Sequence, residues 1–265
     1  MNEDKLQAGT VSLYLRSLFF WIVFALLIVI FTTLLVLSFP FPLEKRFVLT
    51  RAWSKSVLWW LKVTCNLRYE IKGTENIPDT PGIIFSKHQS TWETTSLNLW
   101  FATQSWVVKR ELLWVPVFGW AVYMMDPIAL NRGAGRKAVD QLVRQGRERL
   151  EKGRWIIVFP EGTRIAPGKT GRYRIGGAIL AERTGYSVTP IAHNAGEYWP
   201  RRKFIKRPGV IQVRIGPSIE TKNKSAPLIL AEAKQWIETE MAAITTLKHH
   251  QYGLNDSETS SKAGS

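Results

Sequence analysis

His88 and Glu93 are residues whose types and spacing could move a proton. They lie in a polar stretch, residues 86–95, that follows an apolar run typical of a buried strand, residues 81–85. A neutral imidazole can accept the proton of an attacking hydroxyl group near pH 7, so the pair is a candidate for general base catalysis. Residues 90–93 also match the capping pattern S/T-x-x-E, in which Glu93 would serve the start of a helix. The stretch alone leaves both interpretations open.

A second candidate stretch is Phe-Pro-Glu-Gly-Thr-Arg at residues 159–164, which follows the apolar run 155–158. Arg164 offers a planar fork suited to a phosphate group, and Gly162 lets the backbone approach a ligand closely. The alternative is a surface turn closed by an ion pair between Glu161 and Arg164.

A third polar strand end, residues 188–194, contains His193. The apolar surroundings of His193 favour a structural, hydrogen-bonding histidine over a second base. In open α/β sheets ligands bind at the carboxyl ends of the strands. Three such strand ends in one chain therefore indicate a ligand-binding edge rather than ordinary loops.

The composition favours an anionic partner. The 265 residues carry a formal net charge of +15 and a pI of about 10.1, which suits nucleic acid, a lipid surface or a phosphorylated substrate. Twelve tryptophans favour the lipid surface, because tryptophan concentrates at membrane interfaces. The chain has no nucleic-acid recognition motif, and we expect no such partner. The single cysteine, Cys65, excludes an internal disulfide and argues against a cysteine-based zinc site.

The N-terminal region, residues 1–64, is predicted to be a membrane anchor. Residues 17–39 contain no charge and would form a helix of about 34 Å, long enough for a hydrocarbon core of about 30 Å. A signal peptide or a buried helix is the competing interpretation. Residues 47–63 interleave tryptophan with basic residues, as an interfacial amphipathic helix does. The two helices could instead form a hairpin in one leaflet. If the first helix crosses the membrane, the basic residues that follow it predict that the catalytic domain is cytoplasmic.

Residues 65–250 show an α/β pattern, and the polar tail 251–265 is predicted to be disordered. Short apolar runs predict buried strands at residues 82–85, 106–108, 155–159, 187–192 and 210–215. Helical periodicity predicts helices at residues 136–151, 175–184 and 227–247, with Gly185 as a C-cap of the second.

Four short blocks follow one another along the chain. They are His88-x4-Glu93, the segment from Gly119 to Arg132, the Phe-Pro-Glu-Gly-Thr-Arg of residues 159–164, and Val-Thr-Pro-Ile at residues 188–191. Over roughly residues 65–220 their order resembles that of the glycerolipid acyltransferase family, the 1-acylglycerol-3-phosphate acyltransferases in particular. Residues 109–119, Lys-x-Glu-Leu followed by Pro and Gly, also resemble a segment of that family.

The resemblance implies a fold, an activity and partners. The fold would be a single α/β acyltransferase domain with a mixed, mostly parallel sheet flanked by helices, preceded by the membrane anchor. Similar enzymes transfer an acyl group from acyl-CoA or acyl-carrier protein to the 2-hydroxyl of lysophosphatidic acid, which gives phosphatidic acid at a phospholipid membrane. No metal or bound cofactor is expected. Another lysolipid or glycerol 3-phosphate as acceptor, or a non-catalytic lipid-binding protein, is the alternative.

The resemblance also implies roles for individual residues. His88 would be the base and Glu93 the acid that orients it, as in hydrolase triads. The glycerol-phosphate end of the substrate would be held by Arg132, Glu161, Gly162, Thr163 and Arg164.

Glu93 departs from the family pattern, which has aspartate at this place. Glutamate keeps the charge but adds a methylene group, so the geometry of the pair must adjust. Side chains five residues apart on a regular helix point about 140° apart, so His88 and Glu93 cannot share one helix face. They can meet if His88 lies in the loop before the helix, Ser90 is the N-cap, and Glu93 reaches back from the first turn.

Overall fold

A computed structural model describes residues 3–101 and 103–247. The predicted disordered tail, residues 251–265, lies outside the described residues. The described residues form one seven-stranded sheet with helices on both faces. The strands are β1 (Leu67–Lys72), β2 (Ile83–Ser86), β3 (Gln104–Lys109), β4 (Ile128–Leu130), β5 (Trp155–Val158), β6 (Val188–His193) and β7 (Gly209–Ile215).

The α-helices are α1 (Glu3–Leu37), α2 (Leu43–Cys65), α3 (Trp92–Ser96), α4 (Phe118–Met124), α5 (Arg136–Glu151), α6 (Gly176–Thr184), α7 (Ala195–Tyr198) and α8 (Ala226–Ile244). Among the described residues, short 3₁₀ turns lie at Thr74–Asn76, Leu97–Leu99, Arg110–Trp114 and Arg132–Ala134.

The sheet is mixed and mostly parallel, which confirms the predicted fold class. The strand order is β1-β7-β6-β2-β5-β3-β4, and β6 with β7 is the antiparallel pair among the described residues. The central strands β2, β5 and β6 are buried along their whole length, which explains the apolar runs Ile83–Phe85 in β2 and Trp155–Val158 in β5. This topology places the carboxyl ends of β6, β2 and β5 side by side.

The predicted strands and helices are present with ends shifted by a few residues, and α5 has the predicted bounds. Gly185 follows α6 with a φ of 74°, as predicted for a C-cap. Two of the strands, β1 and β4, were not predicted from the sequence. β1 exposes most of its side chains and carries charges at an edge of the sheet, and β4 has three residues, too few to show a period.

The N-terminal helices pack on the α/β domain. α1 begins well before the predicted residue 17, and residues Thr10–Leu37 are long and apolar enough to cross a membrane. Phe20 and Phe24 of α1 are buried in the same cluster as Ile84 of β2, and Phe20 stacks edge-on against Trp199 at 5.1 Å between ring centroids. The predicted boundary at residue 64 therefore does not separate two cores.

Candidate active site

His88 and Glu93 are in direct contact. His88 lies in the loop directly after β2, and its Nδ1 is 2.9 Å from Oε1 of Glu93 in the first turn of α3. Glu93 is fully buried, whereas the His88 side chain keeps 15% of its surface exposed. The His88 ring stacks on Phe159 with 4.0 Å between ring centroids. Since the carboxylate engages Nδ1, Nε2 is the ring nitrogen left to accept a proton from a ligand.

The same carboxylate also caps the helix. Oε1 of Glu93 accepts hydrogen bonds from the backbone N–H groups of Gln89 and Ser90 at 2.9 and 2.8 Å. The Ser90 hydroxyl oxygen accepts from the N–H of Trp92 at 3.1 Å, although the N-cap position itself is Thr91 rather than the predicted Ser90. The hydrogen bonds of the capping pattern and the contact with His88 therefore occur together, although the helix begins one residue later than predicted, and Glu93 reaches back from the first turn as predicted.

Glu93 is an ionised carboxylate in this setting. Burial raises the pKa of its carboxyl group, but the interaction with His193, the hydrogen bond from His88 and the Ser90 N–H outweigh it and hold the pKa below its usual value. A buried negative charge beside His88 can stabilise a positive charge that develops on the imidazole.

His193 has the structural environment predicted for it. It is buried at the end of β6, and its Nε2 donates to the carbonyl oxygen of Lys87 at 2.8 Å. Burial lowers the pKa of His193, while the neighbouring Glu93 charge opposes that effect. Its contact fixes the peptide group that leads into His88.

A network of buried charged side chains holds the loop that contains His88. The Lys87 ammonium contacts Oε1 of Glu161 at 2.7 Å and Oε1 of Glu238 in α8 at 2.8 Å. Oε2 of Glu161 accepts the N–H of His88 at 2.9 Å, and the Tyr173 hydroxyl donates to Glu238 at 2.8 Å. Burial alone would lower the pKa of Lys87, but the two carboxylates raise it, so the ammonium stays charged.

This network gives Glu161 a role different from either of those considered for it in the sequence analysis. The side chain is buried against Lys87 rather than paired with Arg164 in a surface turn, so the surface-turn alternative is wrong. One carboxylate oxygen of Glu161 binds Lys87 and the other accepts the N–H of His88. Glu161 would therefore affect the substrate indirectly, through the backbone of His88. Glu238 escaped the prediction because it lies 151 residues from Lys87 along the chain, and no local pattern marks it.

Two arginines converge on Gly162. Arg132 follows β4 and donates from Nη1 to the carbonyl oxygen of Gly162. Gly162 has a φ of 68°, and a side chain there would meet Nε of Arg174 at 2.9 Å. Burial and the neighbouring charge of Arg174 lower the pKa of Arg132. Two cations held together in this way form a site suited to an anion such as phosphate.

Thr163 and Arg164 complete the loop. Thr163 is exposed, and Arg164 is half-buried. Burial lowers the pKa of Arg164, while the Glu93 charge opposes that effect. The N–H of Ile165 donates to the carbonyl oxygen of His88 at 2.8 Å and ties the two loops together. Arg174 lies beyond the predicted Phe-Pro-Glu-Gly-Thr-Arg block, and it was assigned no role in the sequence analysis.

The three predicted strand ends thus meet at one edge of the sheet, with a histidine–carboxylate pair beside a cluster of guanidinium groups. Within residues 10–101 and 103–247, no group of three histidine, cysteine or acidic side chains is arranged to hold a metal ion.

The family of the chain follows from comparison with known proteins. The family model named Acyltransferase matches residues 68–194. A 1-acyl-sn-glycerol-3-phosphate acyltransferase of Pseudomonas aeruginosa is 46% identical over 213 residues, which are 79% of this chain and 82% of the relative. The chain belongs to the 1-acyl-sn-glycerol-3-phosphate acyltransferase family. It is an acyltransferase, as the resemblance of its four blocks implied.

The chain is also similar to more distant members of this family. A chloroplastic 1-acyl-sn-glycerol-3-phosphate acyltransferase of Arabidopsis thaliana is 32% identical over 187 residues, 67% of this acyltransferase and 51% of the plant protein, so the chain spans about half of that relative. The crystal structure of the 1-acyl-sn-glycerophosphate acyltransferase PlsC from Thermotoga maritima has a TM-score of 0.74 at 22% identity, covering 88% of this chain and 96% of that one. This last likeness shows the fold.

Proposed function

We propose that the enzyme transfers an acyl group from a thioester donor to the 2-hydroxyl of lysophosphatidic acid and so forms phosphatidic acid. The observation that carries the proposal is the His88–Glu93 contact at 2.9 Å, beside the arginines that converge on Gly162. The pair can take a proton from a hydroxyl group, and the arginines can hold a phosphate. The printed names of the relatives support the same acceptor.

The proposed reaction uses the pair in a single proton relay. Nε2 of His88 takes the proton as the substrate hydroxyl oxygen attacks the thioester carbonyl carbon, and the buried Glu93 carboxylate stabilises the imidazolium. The carbon–oxygen bond forms, the carbon–sulfur bond breaks, and the proton passes to the leaving sulfur. A thiol with a pKa of about 8.5 is a good leaving group, so little acid assistance is needed. The proposal requires no metal or bound cofactor.

The phosphate of the acceptor is proposed to lie between Arg132 and Arg174, within reach of Arg164. Arg132 and Arg174 both lie over Gly162, and like charges held together are stabilised by an anion. Acyl-CoA and acyl-carrier protein are both retained as candidate donors, because each presents the same thioester.

The enzyme is proposed to sit on a phospholipid membrane with α1 in one leaflet and the catalytic domain on the cytoplasmic side. Ser17 of α1 accepts a hydrogen bond from the N–H of Lys206 at 2.9 Å, and Leu35 packs against Met124. These residues are about 27 Å apart along the helix, so both ends of its apolar length contact the catalytic domain. The exposed apolar side chains of α1 lie between them, and the basic residues of α2 favour the cytoplasmic face.

A labelled-donor assay tests the proposed function. Purified protein is given radiolabelled acyl-CoA or acyl-carrier protein with lysophosphatidic acid, other lysolipids or glycerol 3-phosphate, and the products are separated. We expect phosphatidic acid as the main product. Transfer to another acceptor alone would replace the proposed substrate, and no transfer from either donor would support the non-catalytic alternative.

A further inference from the structure

The segment between β3 and β4 exposes an unusual set of apolar side chains. Five of the nine large hydrophobic residues exposed after residue 65, among the described residues, lie within ten positions of one another. We call these five the aromatic ridge: Trp114, Val115, Phe118, Trp120 and Tyr123. The remaining four, Tyr69, Ile175, Phe204 and Leu228, are far apart in the sequence, and Phe204 stacks on Tyr14 of α1 at 6.0 Å between ring centroids.

We propose that the aromatic ridge is a second membrane-contact element, which inserts into the same lipid leaflet as the apolar face of α1. Residues 112–125 carry no charged side chain, yet Trp114 and Tyr123 are 68% and 66% exposed. Fourteen residues are too few to cross a bilayer, but tryptophan and tyrosine are the side chains that settle at a membrane interface.

The ridge is continuous with the apolar surface of α1. Met124 and Met125, at the end of α4, are buried in one cluster with Leu35 of α1 and Phe47 of α2. Nη1 of Arg46 also donates to the carbonyl oxygen of Met124 at 3.2 Å. These contacts fix α4 against the end of α1, where further apolar side chains are exposed at Leu34, Val36, Leu37, Phe39 and Phe41. One leaflet can therefore cover both surfaces.

The charges around the ridge suit lipid headgroups. Lys109 and Arg110 are exposed directly before it. Lys109 pairs with the exposed Glu111 at 3.3 Å, whereas the Arg110 guanidinium lies 5.6 Å from the centre of the Trp114 ring. Basic side chains at this position can contact headgroup phosphates while the aromatic rings lie deeper.

Insertion of the ridge would bring the candidate active site to the lipid surface. The 3₁₀ turn Arg110–Trp114 packs against β3 and β4, and the charge of Glu111 acts on Arg132 directly after β4. Arg132 would then lie at headgroup depth, where a membrane lysolipid carries its phosphate.

Site-directed spin labelling tests the membrane contact without any turnover. The single native cysteine, Cys65, is buried, so a nitroxide can be attached at Trp120→Cys or Tyr123→Cys in the full chain. Leu228→Cys is the matched control, because Leu228 is 53% exposed but isolated on α8. The proteins are reconstituted in vesicles of phosphatidylethanolamine and phosphatidylglycerol, and collisions with oxygen and with an aqueous nickel complex are compared.

We expect the labels at positions 120 and 123 to collide with oxygen more often, and with the aqueous nickel complex less often, than the label at position 228. Equal accessibility at the three positions would overturn the proposal. Spin–spin broadening at position 120 together with a dimeric chain would also overturn it, because a second copy would then cover the ridge.

An activity measurement separates this proposal from the proposed function. The double variant Trp120→Ser/Tyr123→Ser is expected to lose activity several-fold on lysophosphatidic acid in vesicles and to keep it on the same lipid in detergent micelles. The control variant Leu228→Ser is expected to keep its activity both in vesicles and in detergent micelles. Unchanged activity of the double variant on vesicles, or equal loss in vesicles and micelles, would contradict a role at the membrane.

Discussion

At the scale of single residues, Glu93 performs two tasks with one carboxylate. It caps α3 through the N–H groups of Gln89 and Ser90, and it holds Nδ1 of His88. The glutamate side chain, one methylene longer than the aspartate expected in the family pattern, spans from the first turn of α3 back to the His88 ring. The two tasks respond differently to loss of the charge, because a neutral amide oxygen still accepts a hydrogen bond but cannot stabilise an imidazolium.

Glu93→Gln is therefore expected to fold and to lose activity on the order of 10²- to 10⁴-fold, as removal of a general-base partner does elsewhere. Initial rates and a thermal melt of the purified variant check both parts. Near-normal turnover would leave Glu93 as a helix cap only.

Arg174→Gln is expected to raise the KM for lysophosphatidic acid by about tenfold or more, since a hydrogen bond to a charged group contributes about 1.5–3 kcal/mol. Arg172→Gln is the matched control, because Arg172 is an exposed arginine two residues earlier in the same segment. An equal effect of the two substitutions would mean that general charge, rather than the position over Gly162, attracts the substrate.

At the scale of elements, α8 supports loops that are far from it in sequence. Glu238 contacts Lys87 directly before His88, and it accepts from Tyr173 directly before Arg174. Its other oxygen, Oε2, accepts from the Thr170 hydroxyl at 2.9 Å. One buried carboxylate therefore positions both the loop of the candidate base and the loop of a candidate phosphate ligand.

Glu238→Gln is expected to lower the free energy of unfolding by about 1–3 kcal/mol, because Lys87 loses one of its two buried carboxylates. We also expect a lower kcat, since the His88 loop is less firmly held. Denaturant unfolding and initial rates measure the two effects. Glu240→Gln, on the same helix, is the control, and equal stability of the two variants would contradict a supporting role for Glu238.

The sequence predicted most of these elements for a physical reason. Buried central strands such as β2 and β5 must be apolar on both faces, and α5 shows a clear helical period, so local patterns reveal them. The meeting of His88 and Glu93 could be reasoned from helix geometry together with the capping pattern. The inward position of Glu161 and the contacts of Glu238 depend on long-range packing, which no local pattern encodes.

At the scale of the whole molecule, the N-terminal helices α1 and α2 and the catalytic domain share one core. Phe20 and Phe24 of α1 lie in the same cluster as Trp199 and Leu61, so the proposed membrane helix α1 is also a structural part of the domain. Its other face exposes apolar side chains such as Leu26 and Ile30.

Removal of residues 1–37 is therefore expected to give aggregated or early-melting protein even in detergent, because the aromatic surface around Trp199 would be uncovered. Size-exclusion chromatography and a thermal melt check this. The control Leu26→Ser/Ile30→Ser changes the exposed face alone and is expected to keep the Tm in detergent. A monomeric truncated protein with an unchanged Tm would show that α1 is a detachable anchor.

The most direct test of the central claim is the rate of acyl transfer to lysophosphatidic acid by His88→Ala at saturating donor and acceptor. Because His88 is the proposed acceptor of the hydroxyl proton, we expect kcat to fall on the order of 10²- to 10⁴-fold, with a folded protein that still binds the acceptor. A kcat within about tenfold of the unchanged enzyme, which is smaller than the usual contribution of a general base, would contradict the assignment of His88 as the base.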